Sequence, residues 1–350
     1  MNGVRFYEPT RAYVAQREVL DAAFRRVMTS ERIVLGREVE GFEHEFAARV
    51  GAEYVVGVAS GTDALELALR ALELPPQSEV ICPNLTAIAT PTAIVRAGYR
   101  PVLVDSETET LTLDAARAAE ACSPETAAIV AVHLYGRPAP VDELRPLGLP
   151  IVEDASHAHG LEIDGRAAGS LGTIGCFSFY PTKNLGAFGD GGAVASSDAA
   201  LAAAVRELRD YGRDGGGRAM RLGANSRLDE LQAAFLRERL RRIGADNLRR
   251  AELAAAYDRA LDRTTPPGVH HLYVLRHDSR DELRSRLAAN GIETAVHYPA
   301  TVSEHPLFAS YRRGDELAVS RQAAREVLSL PCYPHLTDGE QAHVIDALGA

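Results

Sequence analysis

Residues 54–72 read YVVGVASGTDALELALRAL, a run in which one periodicity gives way to another. Residues 54–59 are apolar and rich in valine, which is typical of a buried strand, whereas residues 62–72 repeat leucine and alanine at the spacing of an amphipathic helix. The serine, glycine and threonine between them supply a turn. The stretch therefore predicts a strand followed directly by a helix, which is the basic unit of an α/β fold.

Six further apolar segments extend this pattern to residue 195. They lie at residues 79–82, 101–104, 127–133, 150–153, 176–179 and 192–195, and a helical stretch near 91–97 separates the first two. Apolar segments without an alternating polar face are typical of strands in a parallel sheet that is covered on both sides. We therefore expect an α/β fold with a mostly parallel, seven-stranded sheet, which would bind its ligand outside the carboxyl ends of the strands.

The rest of the chain is helical at first and then mixed. Residues 198–210 and 228–262 have helical patterns, and residues 264–268 (TTPPG) form a linker. Beyond it we predict strands at 271–276 and 291–297 and helices at 281–290, 319–328 and 339–348. This organisation predicts a large domain over residues 1–245, with an N-terminal helical segment, and a small C-terminal α/β domain over 246–350.

Composition excludes several classes of partner. The 350 residues carry a net charge of −10 without a block of like charges, so we expect neither a nucleic acid nor an anionic membrane as partner. No apolar run is long enough to cross a bilayer, and residues 1–10 lack the apolar core of a signal peptide, which indicates a cytoplasmic protein. The four cysteines lie far apart with no C-x-x-C pair, so we expect reduced, mostly buried thiols.

A single lysine, Lys183, stands among the 38 basic residues, and all the others are arginines. Arginine replaces lysine in most surface roles, but a guanidinium cannot lose its proton to attack a carbonyl. Lys183 lies in SFYPTKNLGAFGDGG, where an apolar strand runs into a glycine-punctuated loop. Burial at that sheet edge would lower the pKa of the amine and make it a nucleophile, and Ser178, five residues earlier, could place a hydroxyl on a phosphate.

Two other motifs follow strands of the same predicted sheet. In Ser60-Gly61-Thr62-Asp63, the amides of Gly61 and Thr62 would form an anion site at a helix N-terminus, although a plain capping turn has the same sequence. In IVEDASHAHG, Asp154 ends a strand and His157 follows one turn later. Asp154 is thereby presented at the same sheet edge as Lys183. It could instead cap a helix, or a metal could be bound by Glu153, Asp154, His157 and His159, but we expect no metal because no compact third-ligand motif accompanies them.

The three motifs in this order resemble the DegT-type sugar aminotransferases. Further matches are VHLYG at 132–136, GANSRLDELQAA at 223–234 and HYP at 297–299, so the resemblance covers nearly the whole chain. These are pyridoxal-phosphate enzymes of fold type I, with the architecture of aspartate aminotransferase. The lysine segment is most similar to that of the branch acting on nucleotide-linked 3-keto-6-deoxysugars.

The resemblance implies a role for each motif. Lys183 would carry pyridoxal 5'-phosphate as a Schiff base and move protons, and Asp154 would pair with the pyridine nitrogen. His157 would lie near the ring oxygen, at a position that is often glutamine. The phosphate would be held by Gly61, Thr62 and Ser178 of one subunit. Asn225 of the neighbouring subunit would also reach it.

The resemblance also implies a homodimer with shared active sites. Glutamate or glutamine would donate the amino group through pyridoxamine 5'-phosphate to a keto-sugar, in the biosynthesis of amino sugars or antibiotics. As substrate-binding residues we select Arg227, His297 and Tyr298.

Two segments depart from the family pattern. Ala87 stands where the family usually has an aromatic residue that stacks on the cofactor ring. Without the aromatic side chain, the ring loses about 0.5–1.5 kcal/mol of stacking energy beyond simple burial. Residues 211–220 lack the Lys-Tyr pattern of the 3-keto-sugar branch, which leaves the substrate open. Two alternatives also stay open: a deoxysugar dehydratase, although such relatives carry histidine in place of Lys183, and a cofactor-binding sensor without turnover.

Overall fold

A computed structural model describes residues 3–311 and 317–349. In this part of the chain, seven strands form one central sheet, in the order β1-β9-β8-β5-β4-β2-β3, and four more form two small sheets, β6-β7 and β10-β11. The strands are β1 (Tyr54–Val58), β2 (Glu79–Pro83), β3 (Arg100–Val104), β4 (Thr126–Val132), β5 (Ile151–Asp154), β6 (Glu162–Ile163), β7 (Arg166–Ala167), β8 (Ile174–Ser178), β9 (Gly192–Ser196), β10 (Tyr273–Arg276) and β11 (Val327–Leu330).

Helices surround the central sheet and make up most of the remaining structure. They are α1 (Pro9–Ala15), α2 (Arg17–Met28), α3 (Arg37–Val50), α4 (Gly61–Ala71), α5 (Ala89–Arg96), α6 (Ala115–Ala121), α7 (Val141–Leu144), α8 (Ala199–Leu208), α9 (Glu230–Leu240), α10 (Ile243–Ala260), α11 (Arg280–Ala289), α12 (Ala318–Glu326) and α13 (Asp338–Leu348). None of the helices in the described residues is both long enough and apolar enough to cross a membrane.

The prediction of a mostly parallel, seven-stranded sheet is confirmed. Strand β9 pairs antiparallel with β1 and with β8, and the other neighbouring strands of this sheet pair in parallel. The carboxyl ends of β2, β4, β5 and β8 therefore meet at one edge, where the motifs around Asp154 and Lys183 follow their strands.

Each face of the sheet has its own apolar core. Along β1, Val56 and Val58 pack with α4 and α8 residues such as Leu65 and Val205. Val55 points to the opposite face, into a second core that includes Phe42 of α3. This burial on both faces explains why the strands lack a polar alternation in the sequence.

The C-terminal region differs from the prediction in three places. The predicted strand at 291–297 is wrong, because β11 occupies the edge beside β10. Residues 291–297 instead make two isolated bridges, Val4 with Ile292 and Ala295 with Ser329. The predicted helix at 319–328 ends at Glu326, since the residues that follow begin β11, and the helical stretch 228–262 is divided into α9 and α10. The division into two domains at residue 245 stays a prediction, although α10 runs through that position.

Candidate active site

A cavity of about 240 Å³ opens at the carboxyl edge of the sheet. Six residues that the sequence motifs singled out line it together: Gly61, Thr62, Asp154, His157, Ser178 and Lys183. They come from three separate turns, after β1, β5 and β8, which the parallel arrangement of these strands brings to one edge.

Lys183 lies in a turn that leaves β8, where its backbone N–H donates to the carbonyl of Tyr180 (2.8 Å). The turn closes with a bond from the Ala187 N–H to the Phe179 carbonyl (2.7 Å). Burial lowers the pKa of the Lys183 amine to about 8, although the charge of Asp154 opposes that change. The amine therefore has a substantial neutral fraction near neutral pH, as a nucleophile requires.

Asp154 ends β5 with only 4% of its surface exposed. Its carboxylate accepts a hydrogen bond from the Thr90 hydroxyl (3.1 Å) and one from the Ser156 N–H (3.2 Å). The hydroxyl of Thr86 lies 3.1 Å from that of Thr90 and continues the network. These bonds fix the carboxylate at the cavity wall, where it can accept a further hydrogen bond from a ligand.

The N-terminus of α4 faces the same cavity. The Ser60 side chain accepts the Asp63 N–H (3.1 Å), so the capping turn is present. Within the described residues, the N–H groups of Gly61 and Thr62 have no acceptor, and both residues line the cavity. The turn thus caps the helix and also leaves two amides which, with the Ser178 hydroxyl, could donate hydrogen bonds to an anion.

His157 is buried, and its Nδ1 accepts a hydrogen bond from the backbone N–H of Tyr135 (3.2 Å). Burial and, to a smaller extent, the charge of Lys183 hold the pKa of His157 well below its ordinary value. The imidazole is therefore neutral, and since Nδ1 accepts, its hydrogen is on Nε2.

The other predicted site residues lie outside the cavity lining. His297 stacks on Phe6, and its Nδ1 lies 2.9 Å from the Ser329 hydroxyl. Burial and, to a smaller extent, the charge of Lys183 lower the pKa of His297 to about 4. Burial raises the pKa of Tyr298 far above its ordinary value.

Asn225 and Arg227 lie on either side of Ser226, whose hydroxyl accepts the Ala59 N–H and donates to the Asp63 carboxylate. Asn225 is exposed and forms an isolated bridge with Asp210. Arg227 makes an ion pair with the same Asp210 (2.9 Å). Neither side chain lines the cavity of its own chain.

The acidic residue before Asp154 takes no part in this site. Glu153 points to the other face of the sheet, where it lies 2.9 Å from His133 Nε2 and accepts the N–H groups of Gly169, Leu171 and Gly172. Among residues 3–311 and 317–349, no group of three or more histidine, cysteine, aspartate or glutamate side chains could hold a metal ion.

Several lining residues had no role in the sequence analysis. They are Ser60, Leu65, Thr86, Ala89, Val132, Ser156, Tyr180 and Asp190; Ala87, the departure from the family pattern, also lines the cavity. Many of them follow a strand of the sheet or lie within a quoted motif, which is a usable signal. Thr90, by contrast, belongs to α5, and its contact with Asp154 has no local signature in the sequence.

Comparison with known proteins gives consistent matches over nearly the whole length. The model of the DegT/DnrJ/EryC1/StrS aminotransferase family matches residues 15–349. The dTDP-3-amino-3,4,6-trideoxy-alpha-D-glucose transaminase of Streptomyces venezuelae is 46% identical over 99% of this chain and 95% of its own.

Two solved structures have the same fold. The S. venezuelae protein DesV, crystallised in complex with a ketimine intermediate, superposes with a TM-score of 0.96 at 45% identity, over 99% of this chain and 98% of its own. NtdA from Bacillus subtilis, with bound cofactor PMP, superposes with a TM-score of 0.92 at 29% identity, over 100% of this chain and 85% of its own. The prediction of an aspartate-aminotransferase-like fold type I is thereby confirmed.

Proposed function

The chain belongs to the DegT/DnrJ/EryC1/StrS aminotransferase family, and on that premise we propose that it moves an amino group from glutamate or glutamine to a nucleotide-linked keto-sugar, with pyridoxal phosphate on Lys183. It is an aminotransferase, and members of this family depend on pyridoxal phosphate. The observation that carries the cofactor assignment is one cavity that holds a lysine of lowered pKa, a buried carboxylate and a set of free amides.

The residues fit pyridoxal phosphate by the chemistry of each donor. The single lysine of the chain supplies the amine for a Schiff base, and Asp154 supplies a charge that keeps a pyridine nitrogen protonated. The amides of Gly61 and Thr62 and the hydroxyl of Ser178 supply neutral donors for a phosphate. When bound, the cofactor supplies an electron sink for the carbon that loses its proton.

Side chains of the protein would then hold and transfer the proton that this carbon loses. The Lys183 amine, whose pKa burial lowers to about 8, would be the group that takes a proton from one carbon and returns it to another. His157 lines the cavity with its hydrogen on Nε2, and it would donate that hydrogen to the ring oxygen of the cofactor. The small side chain of Ala87 leaves the ring face open, where an aromatic residue is usual in the family.

A homodimer is part of the proposal. Asn225 is exposed and lies outside the cavity of its own chain, so it is available to the cofactor phosphate of a second copy. Large apolar side chains are also exposed, among them Phe24, Met28 and Ile33, and Leu222 with 84% of its surface accessible. Exposed apolar residues on this scale favour a covering partner, and Arg227 would then lie near the shared site with Asn225.

Absorption spectroscopy tests the cofactor and the chemistry together. The protein loaded with pyridoxal phosphate is expected to absorb in the visible, and Lys183→Ala is expected to abolish the band. Lys183→Arg is the matched control, because it keeps the positive charge but cannot form a Schiff base. Glutamate or glutamine is expected to bleach the band in the wild-type protein. A band that persists with every amino donor would indicate a sensor instead.

The substrate is tested from the aminated form of the cofactor. After glutamate has bleached the band, nucleotide-linked keto-sugars are added one at a time, and return of the visible absorption identifies an acceptor. We expect a dTDP-linked or UDP-linked keto-sugar to restore it. Release of a dehydrated sugar instead of an amino sugar would support the dehydratase alternative.

A further inference from the structure

A largely buried polar network adjoins the cavity. It consists of His157, His159, Asn184, Asn247 and His271. The rings of His157 and His271 are in contact, with centroids 4.3 Å apart. His271 Nδ1 lies 3.1 Å from Asn184 Oδ1, and Asn184 Nδ2 donates to Asn247 Oδ1 (2.8 Å). Asn247 Nδ2 then donates to the carbonyl of His159 (2.8 Å). The network therefore starts and ends in the loop after β5.

The contacts of Asn184 determine its orientation. Its Nδ2 has two acceptors, Asn247 Oδ1 and the carbonyl of Val269 (3.1 Å). The amide oxygen must therefore face His271, and since an oxygen only accepts, His271 Nδ1 carries the hydrogen. Asn184 and His271 are each only 4% exposed, so water does not offer a competing partner.

The contact from Tyr135 determines the tautomer of His157 in the same way. The Tyr135 N–H donates to His157 Nδ1, from a turn in which Tyr135 has φ 63°. The next residue, Gly136, lies against the backbone of both histidines: an added Cβ would be 3.0 Å from the His157 carbonyl oxygen and 3.1 Å from the His271 backbone nitrogen. This turn thus has little room to move relative to the backbone that carries the two imidazoles.

We propose that His271 is a positioning residue which, held by Asn184, keeps the His157 imidazole oriented so that its Nε2–H donates to the phenolic oxygen of bound pyridoxal phosphate. The inference rests on the proposed function, because it requires that cofactor in the cavity. Asn184 directly follows Lys183, so the same side chain also ties the backbone at the reacting amine to His271. The Asn184 side-chain amide would thereby link the orientation of the His157 imidazole to the position of the Lys183 amine.

The charged and titratable groups around this network favour neutral imidazoles. Burial lowers the pKa of His157 and of His271 well below the ordinary value, and the charge of Lys183 acts in the same direction on both. Further groups whose charges act on one or both rings are His297, His159 and Arg250, and Asp154 lines the same cavity as His157. Neutral rings keep fixed tautomers, which a positioning role requires.

The test is a pH titration of the visible band in three single variants. His271→Phe keeps a ring against His157 but removes the hydrogen that Asn184 accepts. His157→Phe removes the donor itself. His159→Phe is the matched control, because it is the same substitution two residues along the chain, at a ring that packs against Phe177 and Phe179.

A donated hydrogen bond takes charge from the phenolic oxygen, so its loss leaves the imine proton more tightly held. We expect the midpoint of the titration to rise by about 0.7 pH unit in His271→Phe, the shift that one ordinary hydrogen bond corresponds to. The midpoint should be unchanged in His159→Phe. The double variant with His157→Phe should have the midpoint of His157→Phe alone, because His271 acts through His157.

A second measurement keeps the inference testable if His271→Phe folds poorly. Asn184→Ala removes the acceptor of the His271 hydrogen bond without changing either histidine. The ¹⁵N NMR signals of the imidazoles, with those of His157 assigned by their loss in His157→Phe, then report the fraction of His157 in the Nε2–H tautomer before cofactor is added. A lower fraction in Asn184→Ala than in wild type is expected.

The outcomes distinguish a failure of the proposed function from a failure of the positioning role of His271. If the wild-type protein forms no visible band, the proposed function fails and this inference fails with it. If all proteins form the band but His271→Phe titrates like wild type, or His159→Phe shifts as much as His271→Phe, the positioning role is wrong and the proposed function stands.

Discussion

Replacing Gly61 by alanine tests whether the N-terminus of α4 holds the phosphate. Gly61 begins α4 and lies against the end of β8. A Cβ at this position would be 2.5 Å from Ser178 Cβ and 3.0 Å from Ser178 Cα. The second atom belongs to the backbone of the sheet, so rotation of the Ser178 side chain cannot relieve the overlap.

The geometry sets the size of the expected effect. Carbon atoms in contact prefer separations of about 3.5–4.0 Å, so α4 and β8 must move apart by about 1 Å. Overpacking of this kind costs about 1–3 kcal/mol of folding stability. The same movement separates the Gly61 and Thr62 amides from the Ser178 hydroxyl. Losing one hydrogen bond to a charged phosphate would weaken cofactor binding about 10- to 100-fold.

Calorimetric titration with pyridoxamine phosphate measures that loss, because this form binds without the covalent link to Lys183. Thermal denaturation of the same protein without cofactor gives the stability cost separately. Gly244→Ala is the matched control: it lies in α10, and a Cβ there has nothing within 4 Å. We expect this control to leave cofactor affinity unchanged and stability equal or slightly higher. A folded Gly61→Ala protein that binds pyridoxamine phosphate as tightly as wild type would refute the phosphate assignment.

Three further changes have defined outcomes. In Asp154→Asn the cofactor should still bind, but glutamate should bleach the visible band about 100-fold more slowly in stopped-flow measurements, because the ring nitrogen loses its anionic partner. An unchanged rate would contradict the role of the Asp154 charge. The rate at which pyridoxal phosphate forms the visible band should fall about tenfold per pH unit below about 8, since only the neutral Lys183 amine attacks, and should level off above that pH; a rate independent of pH from 6 to 9 would contradict the lowered pKa. Glu230→Gln should lower the free energy of unfolding by about 1–2 kcal/mol in chemical denaturation, because the buried Glu230 carboxylate accepts three backbone N–H groups at the start of α3, whereas exposed Glu31→Gln should have no measurable effect.

The sequence was sufficient for those parts of the fold and site in which the signal is local. The apolar segments predict all seven central strands to within about two residues, since a strand buried on both faces has no other pattern to follow. The motifs around Gly61, Asp154 and Lys183 each follow such a strand. Their meeting in one cavity is therefore a consequence of strand direction, which the sequence also indicates.

The features that were missed depend on contacts between distant segments. Residues 291–297 have an acceptable strand pattern, but β11 occupies the position beside β10, and no local rule decides between two candidates for one edge. Thr90 and His271 likewise have no motif of their own. Each becomes informative only when the fold brings it to Asp154 or to His157.

The charges at the cavity explain why geometry matters so much in this site. Within the described residues, the cavity lining carries one basic side chain, Lys183, with Asp154 and Asp190, and it contains no arginine. The whole chain has a net charge of −10, so the overall field opposes an anion. In the proposed cofactor site, a phosphate would then be held by neutral donors, the amides of Gly61 and Thr62 and the hydroxyl of Ser178, whose strength depends steeply on distance and angle. A lysine or arginine beside the phosphate would tolerate small displacements, but it would also compete with the protonated pyridine nitrogen for Asp154. The proposed site would therefore bind the phosphate through the close approach of α4 and β8, which a Cβ at position 61 would prevent.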